Sequence, residues 1–251
     1  MSIEGFMLII AGAVAGGFAN GLAGFGTGLF ALGWWLAAMP LLDAVATVVI
    51  LSLVGGVQGI FAVRNAINFR DQACFLFPAL IGILTGYLFL SLVNVMILKV
   101  LVAILLIVFG GFFAFQKNLP KLKKRFVVVD GLVGFIGGMF GMLAGMSGAI
   151  LTMGCSLYDW TKGQRRALVQ PFNFVVLGVV FILMAWHGLI TSNVWLVVLV
   201  ALPFSIIGTQ GGIFVFKRLT DKQFQRLLIW LIFLSGLVLA GREVAALVSA
   251  L

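Results

Sequence analysis

Long apolar runs separated by short polar stretches dominate this sequence. Six runs are long enough for a helix to cross about 30 Å of hydrocarbon, which requires about 20 helical residues. They extend approximately from Ala44 to Val63, Ala73 to Val93, Met96 to Phe115, Ala167 to Trp186, Val194 to Phe216 and Leu227 to Leu247. The pattern therefore predicts an all-α polytopic membrane protein.

Two further apolar regions do not fit a single crossing. Phe6 to Met39 and Val127 to Leu157 are each more than thirty residues long, and a glycine-rich motif interrupts each near its centre. The arms beside the first motif, Phe6 to Ala19 and Leu29 to Met39, would be only about 21 Å and 17 Å long at 1.5 Å per residue. We therefore expect each region to form a re-entrant helical hairpin whose tip is buried in protein or lines a cavity.

The two motifs are related copies. The first extends from Asn20 to Gly28 and the second from Leu143 to Gly148. At an offset of 121 positions, Leu22 aligns with Leu143, Ala23 with Ala144, Gly24 with Gly145 and Gly26 with Ser147. Two copies predict two halves, residues 1–116 and 127–251, joined by a basic linker at 117–126.

A second set of small residues also recurs in the two halves. Pro78, Gly82 and Gly86 in the third apolar segment correspond to Pro203, Gly208 and Gly212 in the seventh, at offsets of 125 to 126. Small residues four positions apart let two helix backbones approach closely. We therefore expect these glycines to serve helix packing.

The positions of lysine and arginine test this topology, because cytoplasmic loops of membrane proteins are enriched in both. If all eight segments crossed, the sixteen basic residues would divide eight to eight. With two re-entrant hairpins and six crossings, fourteen lie on the side of the central loop, opposite Lys99 and Arg242. This bias predicts that the protein lies in the inner (plasma) membrane, with its central loop in the cytoplasm and both termini outside. Each half is then a re-entrant helical hairpin plus three transmembrane helices, and the halves are inverted repeats.

Composition excludes several classes of function. With 63% hydrophobic and 9% charged residues, no segment is long and polar enough for a soluble catalytic domain. The net charge of +9 comes from basic residues scattered at the ends of apolar runs, so no nucleic-acid partner is expected. The sequence contains no Ser-His-Asp set, metal cluster or phosphate loop, so we expect neither an enzyme nor a cofactor. Acidic residues lie only near segment ends, which disfavours a carboxylate proton relay. The start of the chain lacks a positive n-region, so we expect the first apolar segment to be retained.

The paired motifs resemble those of the sulfite exporter TauE/SafE family of membrane permeases, also called the toluene-sulfonate uptake permeases. The resemblance rests on the stretches from Gly21 to Gly28 and from Gly141 to Gly148, and it covers essentially the whole chain. It implies transport of small anions, mainly sulfur oxyanions and organosulfonates such as sulfite and sulfoacetate, often as export. The second motif reads Met146-Ser147-Gly148-Ala149 where the family usually carries glycines, and it lacks a proline often seen soon after. These departures leave the anion undetermined.

The two motifs are the candidate substrate site. Glycines permit positive φ and leave backbone amides uncovered, and a helix N-terminus exposed by such a break favours an anion. The candidate residues are Asn20, Gly21, Gly24, Gly26, Thr27, Gly145, Ser147, Gly148 and Thr152 at the two tips, with Gln170 and Asn173 on a neighbouring helix. For the glycines the alternative is helix packing, and for Gln170 and Asn173 it is interhelical hydrogen bonding. Both alternatives stay open at this point.

The predicted function is a secondary transporter of a small anion that works by alternating access. Arg165 and Arg166 lie at the predicted cytoplasmic mouth, where membrane anchoring is favoured over attraction of the anion. An anion channel and a non-transporting membrane assembly partner remain alternatives. Membrane lipid is the expected surrounding partner, and a homodimer is compatible with the sequence.

Overall fold

A computed structural model describes residues 3–36, 38–90, 100, 103–104, 107–108, 111 and 126–249 of the chain. The principal helices are α1 (Ile3–Ala23), α2 (Thr27–Trp35), α3 (Leu41–Val63), α4 (Phe69–Leu90), α5 (Val127–Ala144), α6 (Ser147–Ser156), α7 (Lys162–Trp186), α8 (Ser192–Arg218) and α9 (Asp221–Ser249). A short 3-10 turn, Arg64–Ala66, follows α3. The predicted all-α class is confirmed for the described residues.

Six of the described helices are long and apolar enough to cross a membrane. They are α1, α4, α5, α7, α8 and the Leu41–Phe61 part of α3. Helices α3, α4, α7 and α8 coincide with four of the predicted crossings. The predicted segment from Met96 to Phe115 lies largely outside the described residues, as does the linker at 117–126. The segment from Leu227 to Leu247 lies within α9.

The outer faces of the bundle are apolar. On α4, exposed side chains recur on one face at Phe77, Ile81, Leu84 and Leu88, of which Phe77 and Leu88 are each 71% exposed. Exposed leucine, isoleucine and phenylalanine side chains follow α8 in the same way. A surface of this kind suits lipid rather than water. The chain is therefore a multi-pass membrane protein.

The chain folds back on itself at each glycine motif. In the first pair of helices, a Cβ on Gly16 would lie 3.1 Å from the Cβ of Ala31. Nearer the open end of this pair, the indole Nε1 of Trp35 donates to the carbonyl of Ile9 at 3.2 Å. In the second pair, Gly141 of α5 faces Ser147 of α6 in the same manner. Helices α1 and α2, and likewise α5 and α6, are therefore antiparallel hairpins.

The first arm of the first hairpin is longer than predicted. Helix α1 has 21 residues and ends at Ala23 instead of Ala19, so it is about 31 Å long. The inference that neither arm is long enough to span is therefore wrong for α1, although α2, with nine residues, is only about 14 Å long. Tertiary contacts explain the extension, because Gly21 packs against the backbone of Thr209 and Asn20 Nδ2 donates to Ser52. The break in the first motif is therefore confined to residues 24–26.

Each hairpin packs its long arm against a helix of the other half. The predicted packing role of the recurring glycines is confirmed, because a Cβ at any of them would crowd the backbone of the facing helix. Where α1 contacts α8, the facing pairs are Gly17 with Ser205, Gly21 with Thr209, Val14 with Gly208 and Phe18 with Gly212. Where α5 contacts α4, they are Gly134 with Phe75, Gly138 with Ala79, Phe135 with Gly82 and Met139 with Gly86. Residue numbers rise together across both contacts, so both helix pairs are parallel.

Candidate functional site

The tips of the two hairpins are built on glycines in the left-handed backbone region. Gly24 has φ of +85° and Gly145 has φ of +66°, and these are the two glycines that the motif alignment pairs. Gly26 adds a third value, +113°, so the first tip contains one more turning residue than the second. A side chain at any of these positions would strain the backbone. The aligned glycines therefore make equivalent turns.

Both tips lie level with the middle of long helices. Asn20 Nδ2, at the end of α1, donates to the carbonyl of Ser52 at 3.1 Å. Ser52 is the central residue of the 23-residue α3, with eleven residues, or about 17 Å, on either side. At the other tip, Gly148 contacts Asn173, which is next to the central residue of α7. The tips are therefore far from both ends of the helices that surround them.

The two tips are in direct contact. A Cβ on Gly148 would overlap the Cβ of Phe25, and a Cβ on Gly28 would lie 3.1 Å from the carbonyl oxygen of Gly145. A crevice with about 150 Å³ of empty space lies between them, but it is too narrow in this conformation to hold a water molecule. It is lined by Phe25, Gly26, Gly28 and Leu29 of the first tip, by Gly145, Met146, Gly148 and Ala149 of the second, and by Asn173.

A side chain from α7 caps the second tip. Asn173 Oδ1 accepts hydrogen bonds from Ser147 Oγ at 2.7 Å and from the backbone N–H of Gly148 at 3.2 Å. These donors belong to the first turn of α6, where backbone N–H groups have no partner within the helix. Thr152 Oγ1 donates to the Gly148 carbonyl inside α6 at 2.8 Å. The polar groups of the second tip are thus largely used by the protein itself.

The first tip lacks such a cap. Gly26 occupies the N-cap position of α2 and has no side chain to accept from the first turn. Thr27 follows it with only 1% of its surface exposed, and its hydroxyl has no hydrogen-bond partner. Free backbone donors, the positive end of the helix dipole and an unused hydroxyl therefore coincide at the start of α2.

Asn20 and Gln170 tie the first tip to α3. Gln170 Nε2 donates to the carbonyl of Gly56 at 3.4 Å, as Asn20 Nδ2 does to Ser52. The atoms that remain unpartnered are Asn20 Oδ1 and Gln170 Oε1, both buried. An amide oxygen only accepts hydrogen bonds. Each amide nitrogen has two N–H groups, of which one donates to α3, so each side chain offers a buried, unpartnered acceptor and one further N–H.

The expectation that Arg165 and Arg166 anchor the protein at the membrane surface is wrong. Arg165 is 3% exposed and Arg166 is fully buried. Helix α7 is at least partly exposed from Lys162 to Gln164 but buried from Arg165 to Gln170, and it packs against α3, α4 and α6. Arg165 donates to the carbonyls of Trp160 and Tyr158, whereas Arg166 Nη1 donates to the carbonyl of Leu22 at 3.3 Å.

Comparison with known proteins places this architecture in a family. The sequence profile of the family described as Sulfite exporter TauE/SafE matches residues 8–239, which include both glycine motifs, the second hairpin and all but the first residues of the first hairpin. The chain belongs to this family. No curated protein and no solved structure matches the chain. The family is one of membrane transporters of the sulfite or sulfonate exporter type, in agreement with the apolar helices.

The structure brings only some of the predicted site residues together. Gly26, Gly145, Gly148 and Asn173 line the crevice, and Ser147 is hydrogen-bonded to Asn173. Other predicted residues make structural contacts: Gly21 with α8, Gly24 with Gln170, Asn20 and Gln170 with α3, and Thr152 within α6. Four apolar residues that also line the crevice are not among the residues predicted from the sequence: Phe25, Leu29, Met146 and Ala149. The only feature of the sequence that could have indicated these four residues is their position between or beside the glycines of the motifs.

Proposed function

We propose that the protein is a secondary transporter, working as an exporter, of a small anion such as sulfite or an organosulfonate. The observation that carries this proposal is the meeting of two helix breaks at mid-length, where the starts of α2 and α6 face one crevice. Helix N-termini favour negative charge, and transporters of several folds bind anionic groups at broken helices. Membership of the sulfite exporter family supports a sulfur oxyanion.

The first tip supplies most of the donors in this proposal. The N–H groups at the start of α2 and the hydroxyl of Thr27 bind the anion, because no side chain caps this helix. The amide nitrogen of Asn173 donates from the other wall, while its Oδ1 continues to cap α6. The anion is thus held between a donor-rich tip and a capped tip.

The cross-half contacts support two inverted repeats, residues 1–116 and 127–251 joined by the linker 117–126. The contact between Gly17 and Ser205 corresponds to that between Gly138 and Ala79, at the sequence offsets of 121 and 126. Because the crevice is too narrow to hold even a water molecule, an anion enters it only when the tips separate toward one side or the other. Such separation of matched halves is the usual basis of alternating access.

We further propose an inner (plasma) membrane location with the central loop in the cytoplasm and both termini outside. The support is the fourteen-to-two distribution of basic residues that results when the six long apolar runs cross and the two hairpins, although α1 and α5 are long enough to cross, re-enter. A reporter fused after Leu251 tests it, with the same reporter inserted after Pro120 as the control. We expect the reporter after Pro120 to be cytoplasmic and the one after Leu251 external. A cytoplasmic reporter after Leu251 contradicts this topology.

The function is tested by measuring sulfite flux in proteoliposomes. We expect uptake that saturates with concentration and shows counterflow, because a carrier closes around each substrate. Single-channel currents would instead identify an anion channel. Protein that neither binds nor moves sulfite, sulfoacetate, thiosulfate or acetate contradicts the proposal and favours a non-transporting membrane assembly partner.

A further inference from the structure

Arg166 carries a buried charge that the crevice does not use. Its side chain is fully enclosed near the start of α7, and only Nη1 has a hydrogen-bond partner, the carbonyl of Leu22. Nε and Nη2 are buried with no partner. A buried donor without a partner destabilises a protein, and a charged donor does so more strongly. An ionisable residue in this condition within a membrane helix points to a ligand.

The two unpartnered nitrogens are neighbours on one edge of the guanidinium. Their N–H bonds point in nearly the same direction, so together they match two oxygens of a single carboxylate, sulfonate or sulfite. Nη1 donates to the carbonyl of Leu22. The ring of Phe216 covers one face of the guanidinium, with its centroid 4.2 Å from Cζ. The free edge is therefore the part of Arg166 that is available for recognition.

Arg166 lies on the same face of α7 as the residues beside the tips. Gln170 and Asn173 follow it by four and seven positions, which places all three on one side of a helix. Seven residues correspond to about 10 Å along the axis. Toward the end of α7 that begins at Lys162, Phe216 packs edge-on against Phe224, with ring centroids 5.3 Å apart. Arg166 thus lies between the crevice and the proposed cytoplasmic face.

We propose that Arg166, two helical turns before Asn173 along α7, forms a second anion-binding position. Its ligand is an oxyanion that offers two oxygens to Nε and Nη2, so a sulfite, a sulfonate or a carboxylate fits and a halide does not. The anion is captured here from the cytoplasm and then passes to the crevice when the first tip moves. Phe216 and Phe224 close this position on its cytoplasmic side. The inference rests on the proposed function of anion transport.

The test compares Arg166→Gln with Arg218→Gln. Arg218 is a matched control because its guanidinium also covers a phenylalanine ring, that of Phe214 at 4.1 Å, but is exposed to solvent. Calorimetry on the purified protein in nanodiscs measures the Kd of sulfite, sulfoacetate, thiosulfate and chloride. We expect Arg166→Gln to bind the oxyanions at least about tenfold more weakly, because it loses a charge-assisted bidentate contact. Arg218→Gln should bind them as the wild type does.

The outcomes separate this inference from the function on which it rests. If the wild type binds none of the three oxyanions, the proposed function fails, and the inference fails with it. If the wild type binds them and Arg166→Gln binds them equally well, only the inference is overturned. If Arg166→Gln does not fold, Arg166→Lys decides instead. A lysine keeps the positive charge but lacks the two parallel N–H donors of the guanidinium, so we expect oxyanions to bind about tenfold more weakly. Unchanged binding overturns the inference.

Discussion

The two hairpin tips are built from aligned motifs but end differently. At the second tip, Asn173 accepts from Ser147 and Gly148 and so occupies the start of α6. At the first tip, Gly26 stands where a capping side chain would be, and the hydroxyl of Thr27 has no partner. Both helices begin at the same crevice, yet only α2 begins without a protein acceptor. The first tip is therefore suited to bind a hydrogen-bond acceptor that does not belong to the protein, and an anion is such an acceptor.

This difference also explains how the two tips can divide the work. A capped helix start is held rigidly, because its orphan N–H groups already have partners. An uncapped start keeps its donors for the substrate at some cost in stability. In the proposed transporter, the second tip is therefore the fixed wall and the first tip the face that binds the anion. Three substitutions separate these roles.

The largest effect is expected where the tips touch. Gly148→Ala places a Cβ onto that of Phe25 and forces the tips apart, so we expect saturable sulfite flux to be lost. Gly28→Ala meets the Gly145 carbonyl at 3.1 Å and should reduce flux only severalfold. Gly178→Ala in α7 is the control, since among the described residues nothing beyond the local backbone of α7 lies within 4 Å of its Cβ position. Normal flux in Gly148→Ala would show that the tips need not meet.

The next effect tests whether the crevice binds negative charge. Asn173→Asp keeps an oxygen that caps α6, so we expect unchanged thermal stability. It also places a carboxylate beside the anion, and like charges at 4 Å repel by about 4 kcal/mol at an effective dielectric constant of 20. We therefore expect sulfite to bind at least about a hundredfold more weakly.

Two variants control the Asn173 experiment. Asn68→Asp changes an exposed asparagine whose Oδ1 also accepts a backbone N–H at a helix start, that of Arg70 at 3.0 Å, and it should leave binding unchanged. Asn173→Ala removes the cap and should lower stability by about 1 kcal/mol. Sulfite binding that is equal in Asn173→Asp and in the wild type would exclude the crevice as the anion site.

The smallest effect concerns the unused hydroxyl of the first tip. Thr27→Val is nearly isosteric and removes a buried hydroxyl that has no partner, so stability should not fall. If the hydroxyl donates to the anion, sulfite should bind about tenfold more weakly, the value of one hydrogen bond to a charged group. Thr47→Val is the control, because Thr47 is equally buried and its hydroxyl donates to Asp43 within α3. Binding that is weakened equally by both substitutions would argue against a specific role for Thr27.

The sequence predicts the helices better than it predicts their ends. Apolar length alone locates α3, α4, α7 and α8, and the repeated motif locates both breaks. The first break is predicted too wide, because Asn20 and Gly21 are poor helix formers in isolation. In the protein their contacts with Ser52 and Thr209 keep them helical. Such contacts join residues from different helices, and a pattern along one sequence does not record them.

For the polar residues of the site, too, the sequence predicts the positions along the helix but not the contacts with other helices. The sequence singles out Gln170 and Asn173 as polar residues of one apolar helix, but it does not predict that Gln170 donates to Gly56 of α3 whereas Asn173 accepts from Ser147 and Gly148. Arg166 is misread, since an arginine at the end of an apolar run ordinarily lies at the membrane surface. Its burial follows from the packing of Leu22 and Phe216 against the start of α7. That packing depends on helices far apart in the sequence.

The most direct test of the account is the position of the bound anion. Selenite replaces sulfite with an atom that scatters X-rays anomalously, so a crystal of the protein grown with selenite locates the site. The account predicts an anomalous peak between the tips, within hydrogen-bonding distance of Thr27 and the N–H groups at the start of α2. A peak on the far side of the bundle, with none in the crevice or beside Arg166, would contradict it.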